Sequence, residues 1–442
     1  MAKAYKRAVV NVLQQTQISA TQSGLSPLAT FRVQLLSGLL LGIAIPFLLY
    51  GLIVSGGFDF LETGYQNLWF STSATVAAII SSRRMTPFPG MSAVSAVLPS
   101  FAFTYGLVAI GVLILRVDYS TVLLTTMFMA SVATQSLLVT LASKRSSIAY
   151  FVVPGGHIGR LTAQPDFVAT LLPSPMLPTG RNIVIVADLH YDHSDEWERT
   201  LAQAALNGIP VYHYKNVLED LTGRVRIEHL SENSFGSLLP NMAWVKFKRV
   251  FDLVLCVVLM PLLALPLLFV AGLIKLDSPG PVIFRQERVG YRGKVFKVYK
   301  FRTMRVAAPQ AVAADPRTMA RTRDNDERIT RLGRFLRRTR IDELPQMVNI
   351  FLGEMSWIGP RPEALALSQW YSEEIPFYAY RHIVRPGITG WAQVNQGHVT
   401  DLSDVDEKLQ YDFFYVKNFS YWIDVYILVR TVGIVFTGFG SK

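Results

Sequence analysis

The run from Arg337 to Pro345, RRTRIDELP, sets two adjacent acids, Asp342 and Glu343, behind a cluster of arginines. Consecutive residues on a helix point about 100° apart, so these carboxylates cannot act as one symmetrical clamp and are free to hold different tasks. One can attack while the other holds a metal. Pro345 is tolerated in the first turn of a helix and not in its interior, which places the acids at a helix entrance, where the dipole favours ionised carboxylates. The plainer reading is a solvated acid pair neutralised by Arg337, Arg338 and Arg340.

Four further segments carry cations. Lys297, Lys300 and Arg302 in FKVYKFRTM alternate with aromatics in a strand-like pattern that would present them on one face. GPRPE, Gly359 to Glu363, fixes Arg361 between two prolines. RPGITGWAQVN, Arg385 to Asn395, joins turn formers to an arginine, a tryptophan and two amides, a composition suited to a phosphate and a planar ring. KRVFD puts Lys248 and Asp252 four residues apart on one helix face, with Arg249 beside them, just before an apolar run. That group either fixes helix depth as an ion pair or grips a lipid phosphate. Each segment alone is an ordinary loop or helix end. Together they set several cations around one acid pair beside a membrane, with no other nucleophile constellation in the sequence. That combination suits phosphoryl transfer, in which anionic oxygens and a metal must be neutralised while an acceptor attacks.

The elements that must position these residues divide by hydropathy. Half of the 442 residues are hydrophobic and lie in a few runs, as in a membrane protein with soluble parts. A net charge of +11 fits polyanionic partners, and the membrane segments favour lipid and phosphorylated substrates over nucleic acid. The one cysteine, Cys256, sits in an apolar run; no CxxC or His/Cys metal site is evident. After a polar cytoplasmic segment, 1–30, the region 31–145 holds four apolar stretches near 33–54, 68–82, 92–115 and 119–142, each close to membrane-helix length. The first is too long for a signal-peptide core and is expected to be retained. Lys3, Lys6, Arg7, Arg32, Arg83, Arg84, Lys144 and Arg145 against Asp59 and Glu62 put both ends of this unit in the cytoplasm. Residues 146–240 alternate strand-like runs (Ala149 to Val153, Ile183 to Ala187) with a helical stretch (Trp197 to Leu206), as in a small α/β domain. In VPGGHIGRL the glycines do not make G-x-G-x-x-G, which favours a turn in a degenerate Rossmann-like fold over a nucleotide site. Residues 241–442 begin with the apolar run Leu253 to Ile274. It contains Pro261 and Pro266, and both flanks are basic: Lys246, Lys248 and Arg249 before it, Lys275, Arg285 and Arg288 after it. A helix, a break and a second helix, re-entering the cytoplasm, satisfies both flanks. The Ala-rich 306–325 reads as a loop, and Tyr421 to Phe439, interrupted by Asp424 and Arg430, as an interfacial or packed amphipathic helix.

From about residue 246 the chain resembles the bacterial sugar transferase family, the polyprenyl-phosphate hexose-1-phosphate transferases or monotopic phosphoglycosyltransferases. KRVFD, SPGPVIFRQERVG, FKVYKFRTM, RIDELPQMVNIFLGEMSWIGPRP, VRPGITGWAQVN and YDFFYVKN stand in family order. The helical unit and α/β insert resemble the family's long form. The resemblance implies that Asp342 is the nucleophile that takes a sugar phosphate from a UDP-sugar with release of UMP, and that Mg2+ is held near Asp342 and Glu343. Undecaprenyl phosphate then attacks the covalent intermediate, starting exopolysaccharide or O-antigen type glycan assembly at the inner membrane. By the same resemblance Arg302, Arg337, Arg361 and Arg385 contact substrate phosphates, and Lys248, Arg249, Asp252, Pro261 and Pro266 anchor the re-entrant helix or meet a lipid phosphate. Glucose or galactose is the expected sugar, and the expected partners include membrane lipid and are compatible with a homo-oligomer. One departure stands out: many members carry Asn-Gly-Arg after WAQV, whereas this chain has Asn395, Gln396, Gly397 and His398, with His398 read as a loop residue. Two rivals remain at this level: a glycosyltransferase that releases UDP, and a non-catalytic membrane scaffold for polysaccharide export.

Overall fold

Where water is excluded, a backbone satisfies its own polar groups most simply as a helix, and the apolar stretches are helical in a computed structural model of the chain. It describes residues 27–53, 60–85, 93–145, 148–180, 182–227, 240, 242–305, 328–396 and 402–437. The Ala-rich 306–325 segment and His398 lie outside them. Two units divide the chain, Met1–Thr222 and Gly223–Lys442.

In the first unit, helices span Phe31–Ile53, Phe60–Met85, Val97–Leu115 and Thr121–Arg145. Phe31–Ile53, Val97–Leu115 and Thr121–Ser143 are long and apolar enough to cross a membrane. Phe60–Met85 is less apolar because it buries a polar stripe, Asn67, Ser71 and Thr75, at four-residue spacing. Thr75 Oγ1 bonds the Tyr105 hydroxyl at 2.9 Å and Ser131 Oγ at 3.3 Å. Asn67 donates to Ser120 O at 2.8 Å, whereas Arg83, near the helix's other end, donates to Ala29 O at 2.8 Å and Gln34 Oε1 at 2.9 Å. Successive helices therefore run up and down. Four parallel strands follow: β1 (Ala149–Val152), β2 (Ala169–Leu171), β3 (Ile183–Ala187) and β4 (Val211–His213), in the order β2-β1-β3-β4. All five residues of β3 are buried, as expected of a central parallel strand. The sequence located β1, β3 and the helix Asp195–Leu206. It missed β2 and β4, three-residue strands too short to show a period.

The second unit opens with a 36-residue helix, Met242–Asp277. The sequence led us to expect a break at its prolines, but the helix runs through both. Pro261 and Pro266 lie on its exposed side, and each forfeits one backbone hydrogen bond. Packing holds the rest. Cys256, Leu259, Met260, Leu263 and Leu267 lie against Phe296, Val298, Met347, Ile350 and Met355. Leu267, Val270, Ala271 and Ile274 continue the stripe onto Phe301 and Leu336. One helix face thus lies along the domain, while Val254, Val258, Leu262, Leu265, Leu268 and Phe269 on the opposite side are all more than half exposed.

The hairpin β5 (Ile283–Val289) and β6 (Val295–Phe301) is antiparallel, and β7 (Ser356–Ile358) pairs in parallel with β8 (Gly387–Thr389). GPRPE and RPGITGW meet backbone to backbone: a Cβ on Gly359 would lie 2.3 Å from Arg385 O, and one on Gly387 would lie 2.1 Å from Gly359 N. Only glycine permits that approach. Trp391 is part of the core, 1 % exposed, stacked on Phe414 and donating to Gly223 O at 2.8 Å. Helix Tyr421–Thr437 is packed: its Asp424 accepts from Lys248 Nζ and from the Tyr415 hydroxyl, each at 2.8 Å.

Asn349, fully buried, ties β6 to the helix Met347–Leu352. It accepts the Tyr299 N–H at 3.1 Å and donates to Lys297 O at 2.8 Å and Glu354 Oε2 at 2.7 Å. Asn349→Ala should strand several buried polar groups and lower unfolding stability by on the order of 3 kcal/mol, read by thermal or denaturant melting in detergent. A change under about 0.5 kcal/mol, the range of an ordinary surface substitution, would remove this tie from the fold's supports.

Candidate active site

Helix Arg331–Arg338 starts at Thr330, whose hydroxyl accepts the Gly333 N–H at 2.9 Å. Arg340 then takes a left-handed conformation, φ 55°, and turns the chain into the 3-10 segment Ile341–Gln346, with Asp342 and Glu343 in its first turn and Pro345 inside it. Asp342 and Glu343 are only 9 % and 5 % exposed, so they are not a solvated surface pair.

Their environments differ. Glu343 Oε1 accepts from Lys300 Nζ at 2.8 Å and from Arg361 Nη2 at 2.6 Å, Oε2 accepts from Arg361 Nη1 at 3.3 Å, and Arg340 Nη1 stands 4.0 Å away. Burial works against the Glu343 charge, but Arg361 and Lys300 outweigh it and hold the carboxyl well below its ordinary pKa. Asp342 accepts no hydrogen bond among the described residues. Burial and the neighbouring Glu343 charge push its pKa up to about 6, against the pull of Lys300, Arg361 and Arg337. Lys300 is itself pressed down to about 8 by burial. One acid is locked as an anion, and its neighbour is poised near neutrality with no hydrogen bond to its oxygens among the described residues.

Arg361 is held from behind. Arg381 donates to Arg361 O at 2.8 Å and to the Tyr378 hydroxyl at 2.7 Å, and pairs with Asp412 at 2.7 Å. Arg288 bonds Pro362 O, and Lys408 pairs with Glu363. These supports come from three distant segments, and no local motif announces them. Lys300 was visible as a strand cation but not as a partner of Glu343.

The other candidate residues lie elsewhere. Arg302 is spent on the SPGP turn: it bonds Pro279 O at 3.0 Å, Ser278 O at 2.6 Å and Ser278 Oγ at 3.0 Å. Lys297 is on the outer face, 4.0 Å from Glu287, so the strand cations do not share one face. An odd spacing between Lys297 and Lys300 turns them to opposite sides of a strand. Lys248 pairs with Asp424 instead of Asp252, and Asp252 accepts the Trp357 N–H at 3.4 Å. Arg249 caps the end of helix Met347–Leu352 through Ile350 O at 2.5 Å and Phe351 O at 3.0 Å. Arg385 bonds Gly353 O at 3.0 Å and lies over the Tyr291 ring at 4.9 Å. Arg249 and Arg385 line one small pocket with Lys248, Asp252, Tyr291 and Phe419, and the acid pair is not part of it.

Glu343→Gln leaves Lys300 and Arg361 buried without their counter-charge and should cost about 3–5 kcal/mol of stability, measured by unfolding in detergent. Loss of the anion that holds Lys300 charged should also move that amine's titration below about 8. An unchanged melting temperature would mean that Glu343 is not the counter-charge.

The "Bacterial sugar transferase" family model matches residues 243–438. A UDP-N-acetylgalactosamine-undecaprenyl-phosphate N-acetylgalactosaminephosphotransferase from Aeromonas hydrophila is 42 % identical over 360 residues, 81 % of this chain and 84 % of that protein. A UDP-glucose:undecaprenyl-phosphate glucose-1-phosphate transferase from Escherichia coli K12 is 43 % identical over 197 residues, 44 % of this chain and 40 % of that protein. The exopolysaccharide production protein PSS of Rhizobium leguminosarum bv. phaseoli is 45 % identical over 190 residues, 42 % of this chain and 92 % of that protein. The first match spans both units and the family model covers the acid pair with its cations, so the chain belongs to the bacterial sugar transferase family.

Proposed function

We propose that this chain is a phosphoglycosyltransferase that moves a sugar 1-phosphate from a UDP-sugar to undecaprenyl phosphate through an aspartyl intermediate. The observation that carries this is the division between the two acids: Glu343 neutralised by two cations, and Asp342 buried, without a hydrogen bond among the described residues and raised toward neutrality. A desolvated carboxylate with free lone pairs is a stronger nucleophile than a hydrated one. An Asp342 oxygen attacks the sugar-bearing phosphorus, the bond from that phosphorus to the bridging oxygen breaks, and UMP departs with the electron pair. An oxygen of polyprenyl phosphate then attacks the same phosphorus and returns Asp342 to its carboxylate. Arg361, Arg337 and Lys300 surround Asp342 and neutralise the phosphate oxygens. A scaffold protein has no need of such a group.

Mg2+ fits this donor set, because Asp342 offers carboxylate oxygens that no hydrogen bond occupies among the described residues. Asp342 is the readier ligand, since both Glu343 oxygens already face cations. Bound there, the ion would offset the charge of the donor diphosphate. For the sugar, the relative that matches across both units is named for N-acetylgalactosamine. That favours UDP-N-acetylgalactosamine over the glucose or galactose donors first expected.

The packing of Met242–Asp277 supports a monotopic arrangement on the cytoplasmic face of the inner membrane. The helix is long and apolar enough to cross a membrane, but its one face follows the same domain from Cys256 to Ile274, which favours a helix that stays with that domain. Its exposed face lies in lipid, and both ends stay on the catalytic side. Lys246→Cys and Asp277→Cys, in a Cys256→Ala background, should both resist an impermeant thiol reagent on intact cells and both react after lysis. Labelling of either from outside would rule the arrangement out.

Purified protein given UDP-sugars and undecaprenyl phosphate should release UMP, fastest from UDP-N-acetylgalactosamine. Asp342→Asn should lower kcat by at least about a thousandfold, as loss of other nucleophiles does. UDP as the product would indicate the glycosyltransferase rival, and no nucleotide release would indicate the scaffold. Because Asp342 must be ionised to attack, kcat should climb as pH rises through about 6. Arg337→Gln removes a charge that lowers this pKa, so the acid limb should shift to higher pH. A limb that stays in place or moves to lower pH would take Arg337 away from Asp342.

A further inference from the structure

The ends of β3 and β4 bring together three side chains that the reaction above does not use: Asp188, His190 and His213. The strand order β2-β1-β3-β4 reverses between β1 and β3, the place where open parallel sheets hold ligands in the crevice beyond their strand ends. Asp188 follows β3 directly and is 3 % exposed. A buried carboxylate ordinarily sits against Lys or Arg. Here the ion-pair partners among the described residues are imidazoles: His157 Nδ1 lies 3.4 Å from Oδ2 and His213 Nδ1 lies 3.9 Å from Oδ1. Backbone N–H groups of His157 and His190 donate to the carboxylate at 2.8 and 3.3 Å.

The His213 ring orientation sharpens the point. Leu189 N–H donates to its Nδ1 at 3.0 Å, so that nitrogen carries a lone pair and no proton. His213 Nδ1 lies 3.9 Å from Asp188 Oδ1, close enough for one cation to take both as ligands after a small shift. His190 completes the group, and one donor atom from each of the three residues lies within 4.8 Å of the others. The surroundings fix Asp188 in place. His193 Nε2 bonds Asp188 O at 3.0 Å, and Gly156, at φ +58°, packs so close that a Cβ there would lie 2.3 Å from Asp188 Oδ2. His190 is exposed, which gives an entry path.

We propose that this cluster binds a divalent cation of the zinc type through the Asp188 carboxylate and the imidazoles of His190 and His213, with the fourth position taken by water or by His157. Two imidazoles and one carboxylate suit zinc and its transition-metal neighbours, whereas magnesium and calcium prefer all-oxygen sites. Tetrahedral bonds of about 2.0–2.2 Å put ligand atoms roughly 3.4 Å apart, so the separation between Oδ1 and Nδ1 needs to close by less than an ångström. Nδ1 then exchanges the Leu189 N–H for the metal. The ion joins the segment that follows β3 to the last residue of β4, and adding His157 would join the loop after β1 as well.

The test uses full-length protein without a histidine tag, purified in detergent, stripped with a chelator, re-equilibrated with Zn2+ and freed of excess by gel filtration. The proposal expects about one zinc per chain by elemental analysis, not displaced by millimolar Mg2+, and a melting temperature that rises with free Zn2+. His190→Ala alters an exposed side chain and should keep the transferase rate while weakening zinc binding by at least about tenfold. His213→Gln should do the same and serves as the second variant. Wild-type protein that holds no stoichiometric zinc overturns the proposal, as does zinc retained equally by both variants, which would place the ion elsewhere.

Discussion

The catalytic unit depends on the buried contact between the Glu343 carboxylate and the pair Lys300 and Arg361. Removing Glu343 leaves two cations without their counter-charge, and removing either cation takes away one of the two partners that hold Glu343 ionised. The contact also fixes geometry. Lys300 comes from β6, Arg361 from the loop after β7, and Glu343 from the turn after helix Arg331–Arg338, so one carboxylate staples three segments. Asp342 inherits its state from this arrangement. It is buried with the others, but the cations are committed to its neighbour, and the Glu343 charge beside it raises its proton affinity.

The same unit also carries a helix long and apolar enough to cross a membrane. The long helix gives one face to the domain core and leaves the other apolar and exposed. Lys248 and Arg249 at its start are consumed by internal partners, Asp424 and the carbonyls of Ile350 and Phe351. They orient the helix relative to the site. Charges at a helix start beside an apolar run look like lipid contacts in sequence and serve in the structure as joints between helix and domain.

Local features were legible in the sequence. The acid pair at a turn entrance, Arg361 braced by prolines, the apolar helices and the central strands β1 and β3 all follow from neighbours within a few residues. What escaped depends on partners remote in the chain. Lys248 and Asp424 are 176 residues apart, and nothing near Lys248 reveals that it will prefer Asp424 to Asp252, four residues away. Trp391 and Arg302 have the types expected of ring and phosphate contacts, yet core packing and carbonyl bonding claim them. The prolines of the long helix mark a break by local rules, and tertiary packing overrides it. The histidines around Asp188 were invisible as a cluster because a parallel sheet, not a spacing motif, assembles them.

In the proposed reaction Asp342 carries the sugar phosphate and Glu343 acts only through its neighbouring charge. Mass spectrometry of protein incubated with the UDP-sugar and no polyprenyl acceptor tests this most directly. The expected result is one sugar phosphate per chain, localised to the peptide that contains Asp342, discharged when undecaprenyl phosphate is added and absent from Asp342→Asn. Wild-type enzyme that turns over with acceptor but never carries the adduct, or an adduct mapped to Glu343, would contradict it.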